Sequence, residues 1–413
     1  MSLLFIVRRS LRQHALSTLI AALSIALGTG LVMAVIGIKA QSVAAFTGGQ
    51  IGFDAVLGAR GSPLQLVLNT VFHLETSPGN IPWAMYQAMR DDPRVELAVP
   101  YALGDNYHGF RIVGTTRTLF TEFEYRDGVR FQTQGGGRFF NPARQEAVLG
   151  SYTADKLGLK VGDNFNPYHG LVFDESMRHD EQYTVVGVLK PTNSPSDRVI
   201  WIPIEGIYRM EGHVLRGSGE DYVAEPGREI PDEHKEVSAV MLKFRNPQIG
   251  FLMDATINKQ GKAATLAWPI GAVMARLFDK IGWMNQILAL VSYIVVVVAA
   301  GSILASVYNS INERRREFAI LRSLGARRKT VFSVIVLEAA SISAMGVVIG
   351  FIVYGVIFTA ASAIVRAQTG IVLDLLSFHP AFIIAPVCVI ILGAVAGVLP
   401  AVKAYRTDVA ANL

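Results

Sequence analysis

Residues 309–329 read NSINERRREFAILRSLGARRK and stand between two long apolar runs, 283–308 and 330–365. Phe318, Leu321 and Leu324 recur at i, i+3 and i+6 with Ile320 beside them, which gives a short helix a single apolar stripe. Gly325 follows where a helix C-cap takes a residue free to adopt positive φ. Arg314, Arg315, Arg316, Arg322, Arg327, Arg328 and Lys329 make the link strongly basic, and such a density of charge is incompatible with hydrocarbon. A short charged link between two runs of membrane length implies a chain that crosses a bilayer, turns at its surface and crosses back.

The composition agrees. Of 413 residues, 51% are hydrophobic and 17% charged, and the mean hydropathy is +0.37. That balance lies outside the range of ordinary soluble domains. Crossing a core of roughly 30 Å takes about 20 apolar residues, and four runs suffice: 16–38, 283–308, 330–365 and 380–402. The third holds one acid, Glu338, and is long enough to overrun the bilayer or tilt within it. The other three are free of charge.

Basic residues set the orientation, because Lys and Arg near span ends are retained on the cytoplasmic side. Arg8, Arg9 and Arg12 precede the first span, seven basic residues fill the central link, and Lys403 and Arg406 follow the fourth. Only Glu313, Glu317 and Asp408 oppose them on that side. Residues 39–280 carry 25 Lys and Arg against 28 Asp and Glu, so the high isoelectric point reflects topology and is no nucleic-acid footprint. The expected layout is a cytoplasmic segment 1–15, a span 16–38, an outer domain 39–282, a span 283–308 and a cytoplasmic link 309–329. A span 330–365, an outer loop 366–379, a span 380–402 and a cytoplasmic tail 403–413 complete it, with both termini cytoplasmic.

Arg8-Arg9-Ser10-Leu11-Arg12 could open a secretory or twin-arginine signal, but the following run exceeds a signal's apolar region and no small-residue cleavage site follows. The single cysteine, Cys388, lies in the fourth span, so no disulfide forms within the chain.

Between the first two spans the pattern is mixed α/β. Residues 110–114, 146–150, 183–189 and 199–203 read as strands, with Ser151 placed to cap a helix over 152–157 and a short helix near 205–210. Residues 216–236 are polar and rich in Gly and acid, and read as an exposed excursion. Nothing over 270–312 has to break a helix, so one helix of about 65 Å is expected, with its outer part from about residue 270 acting as a stalk.

On periodicity alone the link 309–329 is an interfacial helix meeting anionic lipid. Its residues Glu313, Arg314, Arg315, Arg316, Glu317, Phe318, Ala319, Ile320, Leu321, Arg322, Ser323, Leu324, Gly325 and Ala326, however, resemble the "RxREIAxLRALGA" link of the FtsX-like ABC transporter permeases, which include MacB-like and LolC/LolE-type proteins. The resemblance extends to Arg111-Ile112-Val113-Gly114, residues 146–151, 157–163 and 183–188, which look like the MacB-like periplasmic core domain. Gly397, Pro400-Ala401, Ala404 and Arg406 look like the family's C-terminal end.

The resemblance implies an integral membrane α-helical fold, one span before and three after a large extracytoplasmic domain. It implies that residues 313–326 are a coupling helix seated in a cytoplasmic ABC ATPase, present in two copies, with a second permease copy or paralogue alongside. No G-x-x-x-x-G-K-[ST] phosphate loop occurs in the sequence, so ATP and Mg would be bound by that partner and no cofactor is expected in this chain.

Three further features were candidates. Glu338, near the cytoplasmic end of its span, reads either as a group that pairs with an arginine or snorkels or as an intramembrane functional acid. His169, Asp174, Glu175, His179, Asp180 and Glu181 lack a recurring ligand spacing, so they read as a solvated loop and no metal is expected. The run 63–72, with Leu64, Leu66, Leu68 and Phe72, reads as core, with a lipid or acylated-cargo contact as the rival if it is exposed. No H-E-x-x-H or G-x-S-x-G supports a hydrolase.

The function expected is that of a non-catalytic permease subunit in a bacterial inner membrane. ATP hydrolysis by a partner would move the periplasmic domain, for extraction or efflux of a lipoprotein or other amphiphile with a periplasmic adaptor or lipoprotein as possible partner. The alternative is an FtsX-like scaffold that activates a cell-wall hydrolase and carries no cargo.

Overall fold

A computed structural model describes residues 3–47, 52–225, 227–313 and 326–406. The chain forms two units, one of Met1–Ser42, Ile281–Ala363 and Leu373–Leu413, the other of Val43–Lys280 and Ile364–Val372.

Among the described residues, four helices are long and apolar enough to cross a membrane: Ala15–Thr47, Gly282–Asn309, Arg328–Thr369 and Ala381–Val402. The third runs for 42 residues, about 63 Å at the α-helical rise, and so does overrun a bilayer core. A shorter helix, Leu3–Gln13, precedes them. Lipid supplies no hydrophobic drive between such helices, so they associate through close contact at small residues. A Cβ on Gly30 would come within 2.7 Å of the Val353 side chain and 2.8 Å of the Gly350 carbonyl oxygen. One on Gly346 would meet Ile25 at 2.6 Å, and one on Gly397 would meet Ala339 at 2.6 Å. Ile25, Ile303, Ile335, Ala339 and Ile342 are buried in the same cluster.

The helix expected over 270–312 is divided. It comprises Ile270–Lys280 and Gly282–Glu313, with a turn at Ile281. Gly282 is the weak point: glycine is a poor helix former, and nothing lies within 4 Å of its missing side chain to compensate by packing.

The second unit is built on an eleven-stranded sheet. Its main path runs Ala264–Ala267, Ala55–Ala59, Ala239–Phe244, Val95–Tyr107, Phe110–Thr115, Ile200–Pro203, Glu146–Leu149, Tyr183–Leu189 and Thr133–Gln134. Neighbours are antiparallel except for two parallel pairs, Phe110–Thr115 with Ile200–Pro203 and Glu146–Leu149 with Tyr183–Leu189. Successive strand residues face opposite sides, and here both sides are dry. Ile112, Ala147, Leu149, Ile200, Ile202, Val240 and Leu242 enter one core, while their neighbours Val113, Val148, Trp201 and Met241 enter another. Helices Trp83–Arg90, Ile204–Tyr208 and Gln248–Asp254 contribute to the first core, and Pro63–Thr70 and Ile270–Lys280 to the second.

Two local expectations change. The N-cap of helix Ser151–Leu157 is Gly150, with no side-chain cap, and Ser151 is the first residue of the helix itself. The excursion over 216–236 is exposed over most of its described residues but is anchored at Ile230, 1% exposed, and by the Trp83 amide donating to the Lys235 carbonyl at 3.0 Å.

Beside Trp201, burial first and then the positive charges of Arg111 and Arg198 push the His73 imidazole from 6.5 down to about 3. Between those values the unfolded chain binds a proton that the fold refuses, so the domain loses stability as pH falls from 6.5 towards 3. The upper limit for this one group is about 5 kcal/mol. His73 has φ of 57°, a conformation that Asn tolerates, so His73→Asn should flatten the dependence of the unfolding midpoint on pH between about 4 and 6.5, and an unchanged slope would refute the assignment. In the membrane unit, Gly30→Leu should cost about 1–3 kcal/mol of stability in detergent. Gly355→Leu, where nothing lies within 4 Å, should leave the melting temperature nearly unchanged.

Candidate functional site

Most of the expected coupling segment, residues 314–325, lies outside the described residues. Glu313 closes the helix Gly282–Glu313, and Ala326 comes just before the helix Arg328–Thr369.

Glu338 is 5% exposed on the third spanning helix. The Ser10 hydroxyl, itself buried on helix Leu3–Gln13, donates to its Oε1 at 2.6 Å. The acid thus ties the N-terminal helix to the third span through a serine hydroxyl.

The run 63–72 is core. Leu66 and Phe72 are 0% and 1% exposed, and Leu64 and Leu68 pack against the same cluster. Helix Pro63–Thr70 lies against the sheet, with the Leu66 side chain at the glycine of strand Ala55–Ala59. The exposure on which a lipid or cargo contact depended is absent at Leu66 and Phe72, and Leu64 and Leu68 are half-buried, because the domain uses the run to cover one face of its sheet.

The acid and histidine stretch changes most. His169 and His179 do not dangle in a solvated loop; they converge with two residues that local spacing gave no reason to include, Asp105 and His213. Asp105 lies in strand Val95–Tyr107 next to an irregularity. Leu103 faces Val113 and Asp105 faces Ile112, so Gly104 is an extra residue that re-aims the carboxylate. His169 sits directly across from Asp105 on the short strand Tyr168–His169, where cross-strand side chains share a face. His179 follows the turn Glu175–Met177 and is held by its amide donating to the Pro167 carbonyl at 2.9 Å. His213 follows helix Ile204–Tyr208, its backbone N–H donating a hydrogen bond to the Met210 carbonyl at 3.2 Å. Asn106 braces the loop, its amide donating to the Gly170 carbonyl at 2.9 Å.

One oxygen of Asp105, Oδ1, lies 3.3 Å from His169 Nδ1, 3.4 Å from His179 Nε2 and 3.3 Å from His213 Nε2. His169 Nδ1 and His213 Nε2 are 3.2 Å apart. Asp105 is fully buried and the His169 side chain is 49% exposed, so the cluster runs from the interior to the surface. Burial alone would raise the Asp105 carboxyl, but the three imidazoles facing it reverse the shift and hold it far below the usual carboxylate range. The same contact raises His169. Asp174, Glu175, Asp180 and Glu181 stay outside: Asp174 accepts the Ser176 amide and hydroxyl, and Glu181 accepts the Glu211 amide. Local sequence offered no signal for Asp105, which stands between Gly104 and Asn106, or for His213.

Residues 18–246 match the model of the MacB-like periplasmic core domain, and residues 289–409 that of the FtsX-like permease C-terminal region. The chain is 24% identical over 380 residues to the pyoverdine export ATP-binding/permease protein PvdT of Pseudomonas fluorescens, covering 86% of this chain and 51% of that one. It is 25% identical over 427 residues to the macrolide export ATP-binding/permease protein MacB of Brucella melitensis, covering 96% and 58%. To the lipoprotein-releasing system transmembrane protein LolC of Neisseria meningitidis it is 22% identical over 216 residues, covering 51% and 47%. The chain therefore spans about half the length of the relatives it matches.

Glu338→Ala should leave the Ser10 hydroxyl without this acceptor in a low-dielectric setting and cost about 1–3 kcal/mol, read as a lower melting temperature in detergent. Glu338→Gln keeps an acceptor oxygen and should lose less; equal losses would show that the hydrogen bond is not what the acid contributes.

Proposed function

The chain belongs to the family of permeases with a MacB-like periplasmic core domain and an FtsX-like C-terminal region, and from that membership we propose that it is the transmembrane subunit of an ABC transporter driven by a separate cytoplasmic ATPase. The observation that carries this reading is the presence of both matched regions, in order, on a chain with four helices able to cross a membrane. In this reading residues 313–326 dock on the ATPase, two ATPase copies serve two permease chains, and ATP with Mg is bound on the partner. The chain sits in a bacterial inner membrane with its sheet domain in the periplasm, which the basic residues at the other span ends support.

The chemistry of the spans constrains the cargo. Glu338 is the one charge in the four apolar runs and is buried against Ser10, which disfavours a wide polar pore through this chain. Work is then done on an amphiphile already in or beyond the outer leaflet, such as a lipoprotein, or on a solute handed over by a periplasmic adaptor. The named roles of the relatives, pyoverdine export, macrolide export and lipoprotein release, support that class of task. The interruption at Ile281 alters the lever expected from the sequence. Helices Ala15–Thr47 and Arg328–Thr369, of 33 and 42 residues, carry no such interruption, and they are the better carriers of a displacement.

Replacing Glu317 and Arg322 together with Ala should weaken ATPase association in proteoliposomes by roughly tenfold, about 1.4 kcal/mol, and lower the permease-stimulated ATPase rate while membrane insertion is retained. Unchanged association and stimulation would remove residues 313–326 as the motor contact. Activation of a cell-wall hydrolase without release of any amphiphile would favour the scaffold role.

A further inference from the structure

We propose that Asp105, His169, His179 and His213 form a binding site for one divalent transition-metal ion, of the zinc class, in the large domain. The distances are those of a coordination shell. In a tetrahedral site with metal–ligand bonds of about 2.0–2.1 Å, neighbouring ligand atoms lie about 3.3–3.4 Å apart. Four of the separations among these atoms are 3.3, 3.4, 3.3 and 3.2 Å, and all four ligand atoms lie within 4.8 Å of one another.

Polar satisfaction points the same way. Both Asp105 oxygens and His179 Nε2 are buried and take part in no hydrogen bond of acceptable geometry among the described residues. A carboxylate removed from water without such bonds is costly, and a cation between it and the imidazoles would satisfy all of these atoms at once. A purely hydrogen-bonded cluster would instead aim individual N–H groups at the two oxygens.

The donor set selects the ion. Three imidazoles and one carboxylate suit zinc and its first-row neighbours, whereas calcium takes six to eight oxygens and magnesium an octahedron of oxygen and water. Four protein ligands fill a tetrahedron and leave no open position, which is the pattern of a structural site. Its effect follows from where the ligands stand. Asp105 is on a central strand at a bulge, His169 on a short edge strand, and His179 and His213 on two separate loops. One ion would clip both loops to the sheet, and the half-exposed His169 gives it a route in from solvent. The proposal is independent of the permease reading, since metal content is measured without ATPase or cargo.

The test uses the tag-free full chain in detergent, stripped with a chelator and titrated with Zn²⁺, then with Co²⁺ as a spectroscopic probe. One Zn²⁺ per chain should survive removal of free metal, and Co²⁺ should give the intense visible absorption of four-coordinate cobalt. His169→Gln, at the exposed edge, should lower Zn²⁺ affinity at least tenfold, given that loss of even an outer-shell partner commonly costs about 10–100-fold. Asp105→Asn should abolish retention, and His234→Ala, outside the cluster, should bind as wild type. The proposal is overturned if wild-type chain retains no Zn²⁺, if the cobalt spectrum is that of a six-coordinate ion, or if His169→Gln binds with unchanged affinity. If Asp105→Asn fails to fold, the His169→Gln comparison alone decides.

Discussion

Hydrocarbon offers no hydrogen bonds to a peptide backbone, and most of what is distinctive in this chain follows from that constraint. Within the spanning unit the backbone must close its own hydrogen bonds, so every long apolar run is a helix. Because lipid tails are as apolar as leucine, those helices meet at glycines, where Gly30, Gly346 and Gly397 admit side chains or backbone from their neighbours. The same constraint makes Glu338 expensive, and the Ser10 hydroxyl answers that expense locally. Irregular backbone and clustered titratable groups belong to the sheet domain, where water, turns and a two-sided core tolerate them.

What the sequence made legible is what rests on local periodicity. Runs of membrane length, the basic link and the strands at 110–114, 146–150 and 183–189 could be read because each is set by neighbours in sequence. Gly158, with φ of 70° at the end of helix Ser151–Leu157, behaved as its residue type requires. What the sequence left open or misread has a shared cause. Leu66 and Phe72 form an apolar run whether a sheet covers it or water does, and only the tertiary fold decides. Ser151 has good capping chemistry, yet it falls one residue inside the helix, whose N-cap is Gly150. The break at Ile281 turns on a single glycine within a pattern otherwise favourable to helix.

The histidine cluster shows the same limit most sharply. His169 and His179 stood out, but their spacing matched no ligand motif, since the set is completed by a strand residue upstream and a loop residue downstream. A bulge at Gly104 and the cross-strand pairing of Asp105 with His169 do the assembling. Family resemblance was legible for a different reason: the link 313–326 is a contiguous motif, read without any fold, although its own conformation lies outside the described residues.

A subunit driven by another protein's ATP hydrolysis should be found with that protein. The most direct measurement is extraction of the chain from its native membrane after mild cross-linking, followed by quantitative mass spectrometry of what is retained. The account predicts an ATP-binding cassette protein in stoichiometric amount, cross-linked within residues 313–326. Recovery of the chain with no such ATPase, or with one cross-linked only elsewhere, would contradict it.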